Sequence, residues 1–591
     1  MQSCFLAFRR PLAFAFAALS AAALLSACGG APRGAAPAAP APPAQFSTFG
    51  SYLAARQAQA MRDSASAADF YVQALAADPA NDELLRRAFA AMVAEGRIDE
   101  AAALAERLRA LGANVQMAGL VRAVHAAKLG QYARAEAELA ALPEGGYNSF
   151  IAPLLRGWLM AARGEPQRGV VALAAVGQMR GFEMFESFHA ALMLDQAGEL
   201  QAAGPYYERA AASGASYMRL VQATASYYAR TGQLERAKAT LADFDSEAGA
   251  AARGSRPELS SAPLPTAPLV RTPAEGMAEA LFDLASLLNQ QSLDDLAMAM
   301  TRLALHLQPD LDIALLLAAD ILESGDQEAR AIEMYKRVPA NSSLAWSAQL
   351  RSAALLDDVG RTDDAIATLE ALAAERPTRP DALVALGDLL RGKERFAESV
   401  AAYDRAMARI GPTLEPRHWA VLYSRGIALE RAKQWPRAEA DLLKALELNP
   451  DQPYVLNYLG YSWVEHGIHL DKALAMIETA VKLRPEDGYI VDSMGWVLYK
   501  LGRFAEAVPH LERAAELRPA DPTINDHLGD AYWRVGREAE ARFQWERALA
   551  LKPEPDQTRD IETKIKRGLA ADQRSAAPES HADAEPAARG G

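Results

Sequence analysis

Apolar residues along this chain recur every three or four positions in runs of roughly a dozen, the spacing of amphipathic helices. VDSMGWVLYKLG (491–502) is one such run and stops at Gly502; RFAEAVPHLERAAEL (503–517) is the next and ends before Pro519, which cannot continue a helix. The pair repeats. Small residues fall at Gly426, Gly460, Gly495 and Gly529, alanines at Ala438, Ala473, Ala507 and Ala541, and prolines at Pro450, Pro485, Pro519 and Pro553. The glycines are spaced 34, 35 and 34, the alanines and prolines 35, 34 and 34. The glycine and alanine lack bulk, so the two helices of each pair can approach closely. The extra residue of the third block lies between Gly460 and Ala473, in the turn EHGIHLD, where it leaves the apolar stripes in register.

A period of 34 with these residues in this order is the pattern of a tetratricopeptide (TPR) solenoid. One unit cannot bury its own apolar face, so units must stack. Weaker copies precede the clear ones: Gly387, Phe396 and Tyr403; Trp346, Ala353, Gly360, Ala365 and Pro377; Ala319, Ala331 and Tyr335; Ala285, Ala297, Ala304 and Pro309. Further upstream, turn glycines recur at Gly96, Gly130, Gly164, Gly198 and Gly232, every interval being 34, and Ala67, Tyr71, Ala74 and Pro79 supply the first unit. The expected fold is all-α, a TPR superhelical solenoid of about fourteen helix-turn-helix units. It falls into two arrays, 46–244 and 276–553 (clearest over 419–553), separated by a Pro/Ala/Ser-rich loop or hinge at 245–275. Ile561, Ile565 and Leu569 share one face of a capping helix at 554–570, and 571–591 reads as a disordered tail.

The first 27 residues read as a targeting segment: Arg9 and Arg10, the apolar core PLAFAFAALSAAALL, then Leu25-Ser26-Ala27-Cys28. That core is too short to span a bilayer. A leucine, two small residues and a cysteine resemble a bacterial lipobox, which implies cleavage before Cys28, lipidation of its thiol, and a palmitate-class acyl chain on the new amino terminus. Gly29 suits outer-membrane sorting. Residues 28–45, rich in Gly, Ala and Pro, form a tether. The expected location is the outer membrane, lipid-anchored and facing the periplasm.

The chain has two cysteines, Cys4 and Cys28, so the repeats hold none, which excludes disulfides, zinc thiolates and cysteine nucleophiles there. The formal charge of −13 becomes −15 without Arg9 and Arg10, which argues against nucleic acid and against charge-driven docking on anionic lipid. No GxSxG, HExxH or phosphate-cradling glycine loop is present, and no enzyme and no cofactor are expected. His466 and His469 with Glu465 and Asp471 sit in a turn, where polar residues collect for local hydrogen bonds, and no metal site is expected.

Surface recognition remains. With each unit numbered from the residue seven before its small glycine, positions 2, 5, 6, 9, 12 and 13 of the first helix project into the groove of such a solenoid. Here they are Tyr454, Asn457, Tyr458, Tyr461 and Glu465; Tyr489, Asp492, Ser493, Trp496, Tyr499 and Lys500; and Asp526, His527, Asp530, Trp533 and Arg534. Aromatics interleaved with hydrogen-bonding groups suit an extended peptide or a partner helix, although Tyr and Trp at these positions also fill space between units.

NYLGYSWVEHG (457–467), DSMGWVLYKLG (492–502) and DHLGDAYWRVG (526–536), with the lipobox and tether, resemble the long TPR lipoproteins of Gram-negative outer membranes, the LbcA type, and the smaller NlpI. The resemblance implies an adaptor that binds a periplasmic C-terminal processing protease and brings it substrates such as peptidoglycan hydrolases. The alternative is a structural assembly factor of an envelope machine for exopolysaccharide secretion, pilus or outer-membrane protein assembly. The partners expected are periplasmic or outer-membrane proteins, with a second copy of this chain also admitted.

Overall fold

In the computed structural model, residues 47–112, 115–214, 217–247, 259–261, 264 and 266–570 are described. The signal segment, Cys28, the tether, the heart of the 245–275 loop and the 571–591 tail lie outside them. The described residues are helical with no strand, arranged as six hairpins over 48–247, eight over 273–550, and a final helix Pro555–Arg567. Successive hairpins pack on one another in order over 48–247, over 273–375 and over 381–550. No described helix is long and apolar enough to cross a membrane.

Local chemistry accounts for the punctuation. Asp521 accepts from the Thr523 and Ile524 amides and Pro522 opens the helix Pro522–Arg534, so donors that lack helical partners are satisfied or absent. The turn glycines Gly96, Gly130, Gly164, Gly198 and Gly232 have φ of +84°, +72°, +81°, +81° and +81°, a left-handed geometry that reverses the chain between helices. The extra residue of the third block lies between helices Pro453–Glu465 and Leu470–Leu483, where Gly467 and His469 both take positive φ.

The small residues are required by packing. A Cβ on Gly495 would lie 2.5 Å from Leu511, one on Gly529 2.5 Å from Trp545, and one on Gly460 2.9 Å from Ile477. Ala438, Ala473, Ala507 and Ala541 are fully buried against these sites. Over the last repeats the apolar stripes merge into a core that includes Leu459, Trp463, Val497, Leu511, Leu528 and Trp545. Its burial, at about 25 cal/mol per Å², is what holds each hairpin to the next.

The chain divides into two compact units at Arg376/Pro377, so helices on both sides of the 245–275 segment belong to the first unit. There the helix Pro273–Gln290 packs against Asn148–Ala162 and Glu183–Gln196, and Asp294–Leu307 packs against Asp82–Glu95 and Gln116–Lys128. These four are the first helices of their hairpins. The N-terminal array therefore holds a later hairpin of its own chain along its inner helices. Gly276 makes this possible, because any Cβ there would collide with the indole of the fully buried Trp158.

A buried polar network fixes the register of that contact. Trp158 Nε1 donates to His189 Nδ1 at 3.1 Å, and an indole can only donate. Neutral His189 therefore carries its proton on Nε2 and gives it to Asp283, 2.8 Å away. Tyr217 also donates to Asp283. Burial, despite the hydrogen bonds from His189 and Tyr217, leaves the Asp283 carboxyl above its usual pKa. Arg219 grips Glu279 through two bonds of 2.7 Å, a bidentate pair that satisfies both buried charges.

Candidate functional site

The second unit carries the groove residues read from the sequence. Within it, the first helices of successive hairpins run side by side, Pro453–Glu465 against Gly488–Lys500 and the latter against Pro522–Arg534. The sixteen residues do not share one environment.

Tyr454 and Tyr489 occupy equivalent positions in neighbouring repeats and have matching surroundings. Arg484 lies 5.9 Å from the Tyr454 ring and Arg518 5.1 Å from that of Tyr489. Tyr489 is 52% exposed. Tyr458 donates to Glu430 at 3.2 Å and stands edge-on to Tyr423. Burial, then Glu465 and Asp492, push the Tyr461 phenol above its usual pKa. Asn457 is half-buried and its Oδ1 has no hydrogen-bond partner among the described residues.

Trp496 lies between two repeats. Its ring stacks on His527 at 3.8 Å and on Tyr499 at 4.8 Å, nearly parallel to both, and its Nε1 donates to Glu465 at 2.7 Å. Lys500 sits 5.4 Å from the same ring and 3.3 Å from Glu465. The indole is thus clamped on both faces by its own protein and offers a partner its edge.

The last repeat is different. Asp526, His527 and Asp530 are buried: the helix Pro555–Arg567 brings Lys564 onto the two carboxylates, and Trp496 stacks on His527. Lys564 Nζ is 2.9 Å from Asp526, 3.0 Å from Asp530 and 3.0 Å from Asp560. Trp545 donates to the other oxygen of Asp530 at 2.8 Å, and Asp492 pairs with His527 at 3.0 Å. Burial and the neighbouring Asp526 push the Asp530 carboxyl up to about 6. Burial works against a charged His527, but Asp492, Asp526 and Asp530 outweigh it and raise its pKa. Trp533 packs on Trp545 and against Gly568, which has no room for a side chain there. Arg534 bonds the Ala570 carbonyl and the Tyr499 hydroxyl. These residues fasten the end of the solenoid; in the repeat before it Asp492 and Ser493 are buried as well, while Tyr489 stays exposed.

Trp419 and Tyr423 extend the aromatic row one repeat earlier, with Tyr423 6.0 Å from Tyr458. Applying the same repeat numbering to Gly426 puts Tyr423 at position 5, so the signal was present in the sequence. Asp99, His125 and His306 also converge, their ligand atoms all within 4.8 Å of one another. His466 and His469 do not join such a group among the described residues: His466 Nδ1 bonds the Ser462 carbonyl and stacks on Trp435, and His469 meets Trp463.

A family model described as Tetratricopeptide repeat matches residues 350–415, 413–453 and 493–557. These stretches match the tetratricopeptide repeat, a repeat that suggests a protein-binding scaffold. It is 30% identical over 193 residues to the TPR repeat-containing protein PA4667 of Pseudomonas aeruginosa, a match covering 32% of this chain and 32% of that protein. It is also 30% identical over 129 residues to the BBSome complex member BBS4 of Bos taurus, covering 22% of this chain and 23% of that one. The chain thus spans a third or less of the length of these relatives. Among solved structures, the Cut9–Hcn1 hetero-tetramer of the APC/C aligns over 88% of this chain and 96% of the matched chain, at 15% identity and a TM-score of 0.36.

Proposed function

We propose that this protein is a scaffold tethered to the bacterial outer membrane through lipidated Cys28, facing the periplasm, and that it brings a processing protease to its substrates. One observation carries the binding part: the face of 453–465 and 488–500 presents Tyr454 and exposed Tyr489 at the same repeat position, with the Glu465–Lys500 pair about three helical turns further along. Rigid aromatics beside hydrogen-bonding charges anchor an extended segment at little entropic cost. The side chains behind them are already clamped, so binding requires little ordering of the scaffold. The adaptor part rests on the resemblance to LbcA-type lipoproteins, and the tether on the lipobox.

The test is affinity purification from detergent-solubilised envelopes through a C-terminal tag, with wild type and Tyr489→Ala/Lys500→Glu compared. Recovery of a C-terminal processing protease by wild type, and its loss in the variant, is the expected result. Recovery of a stoichiometric outer-membrane channel without the protease would favour the envelope-assembly reading. Equal capture by both proteins would remove the groove from the account.

A further inference from the structure

Two segments distant in the chain meet within the first unit and bring three ligand atoms together. Asp99 sits in the first turn of Ile98–Ala110, His125 in Gln116–Lys128, and His306 in Asp294–Leu307, 181 residues beyond His125. His125 Nδ1 lies 3.4 Å from His306 Nε2 and 3.3 Å from Asp99 Oδ1, and His306 Nε2 lies 3.7 Å from the same carboxylate oxygen. Zinc takes imidazole nitrogen and carboxylate oxygen at about 2.0–2.2 Å, so two ligands of a tetrahedral ion stand about 3.3–3.5 Å apart. The three measured edges fall at or close to that spacing.

We propose that Asp99 Oδ1, His125 Nδ1 and His306 Nε2 bind one divalent transition-metal ion of the zinc class, which clips the helix Asp294–Leu307 into the N-terminal array. Two imidazoles and one carboxylate leave a fourth position for water, and the Asp99 side chain, 74% exposed, keeps that side open to solvent. His306 is held on the other side by burial, at 5% side-chain exposure, so the ion would bridge a fixed ligand and two surface ones. Lys128 Nζ lies 3.3 Å from His306 Nδ1. In the bound state that nitrogen carries the proton and the ammonium must turn away, which the exposed position of Lys128 permits. Because the ligands come from both sides of the contact, binding stabilises the packed hairpin by mass action.

The full chain, stripped with chelator and titrated with Zn²⁺, tests this. Asp99→Asn/His125→Gln alters only the two surface ligands, and its apo form should match apo wild type in helical signal and melting temperature. Wild type is expected to bind one more ion than the variant, to melt higher with Zn²⁺, and to give with Co²⁺ the visible absorption of a four-coordinate site. The variant should lose at least about tenfold in affinity together with the melting shift. Failure of wild type to bind at micromolar Zn²⁺, or equal binding and equal melting shifts in both proteins, would overturn the proposal. Neither result bears on the groove at 453–500.

Discussion

Lys564 Nζ lies 3.0 Å from Asp530 Oδ2, and this contact between the final helix and the last repeat decides which groove positions remain open. The lysine neutralises two carboxylates that would otherwise repel each other under the cap. Lys564→Met should leave Asp526 and Asp530 buried without their cation, a loss of about 3–5 kcal/mol where a buried pair is broken. Urea denaturation should show it. Adding Asp526→Asn and Asp530→Asn in the same chain should recover part of the loss, because amides tolerate burial without a counter-charge.

The same cluster has a pH signature. The folded-state pKa of Asp530 is about 6, above the unfolded value, so the native state holds a proton that the unfolded state releases first. Its stabilising contribution is complete below about pH 4 and is lost as pH rises through about 6. His527, also raised, acts with the same sign from its unfolded pKa upward. Subtracting the stability of Asp530→Asn from that of wild type should give a difference that falls between pH 4 and 6. A difference that is flat or rises there would contradict the assignment.

Trp533 and Tyr489 should separate packing from recognition. Trp533→Ala removes an indole wedged against Trp545 and Gly568 and should lower stability by about 2–3 kcal/mol, less than for a fully buried tryptophan. Tyr489→Ala should change stability by about 0.5 kcal/mol or less and weaken the captured partner by about 2 kcal/mol, some thirtyfold. Thermal melts and titration calorimetry distinguish the two patterns.

Gly276→Ala puts a methyl into the Trp158 indole, which is fully buried and cannot retreat. A cost of about 1–3 kcal/mol or more is expected. Gly392→Ala, where nothing lies within 4 Å of the new methyl, should be neutral or slightly stabilising in the same melting experiment.

The sequence by itself determined the hairpins. Glycine, alanine and proline at a period of 34 act within one repeat or between neighbours, through φ, steric bulk and a missing amide donor, and these effects are local enough to be written in spacing. The turn at 466–469 was legible for that reason, as were Ile561 and Ile565 on the final helix, although Leu569 lies past its end at Arg567. Only the tertiary structure decided what lies over what. Nothing local marks Gly276 as the neighbour of Trp158, since their contact depends on a later hairpin folding back along the first array. Asp526, His527 and Asp530 satisfy the repeat numbering of a groove, yet Lys564 of the final helix covers the two carboxylates and Trp496 stacks on the imidazole. Asp99, His125 and His306 form no motif because their proximity depends on two segments 181 residues apart packing together. Periodicity records what each repeat does with its neighbour, and is silent about contacts between repeats that are not adjacent.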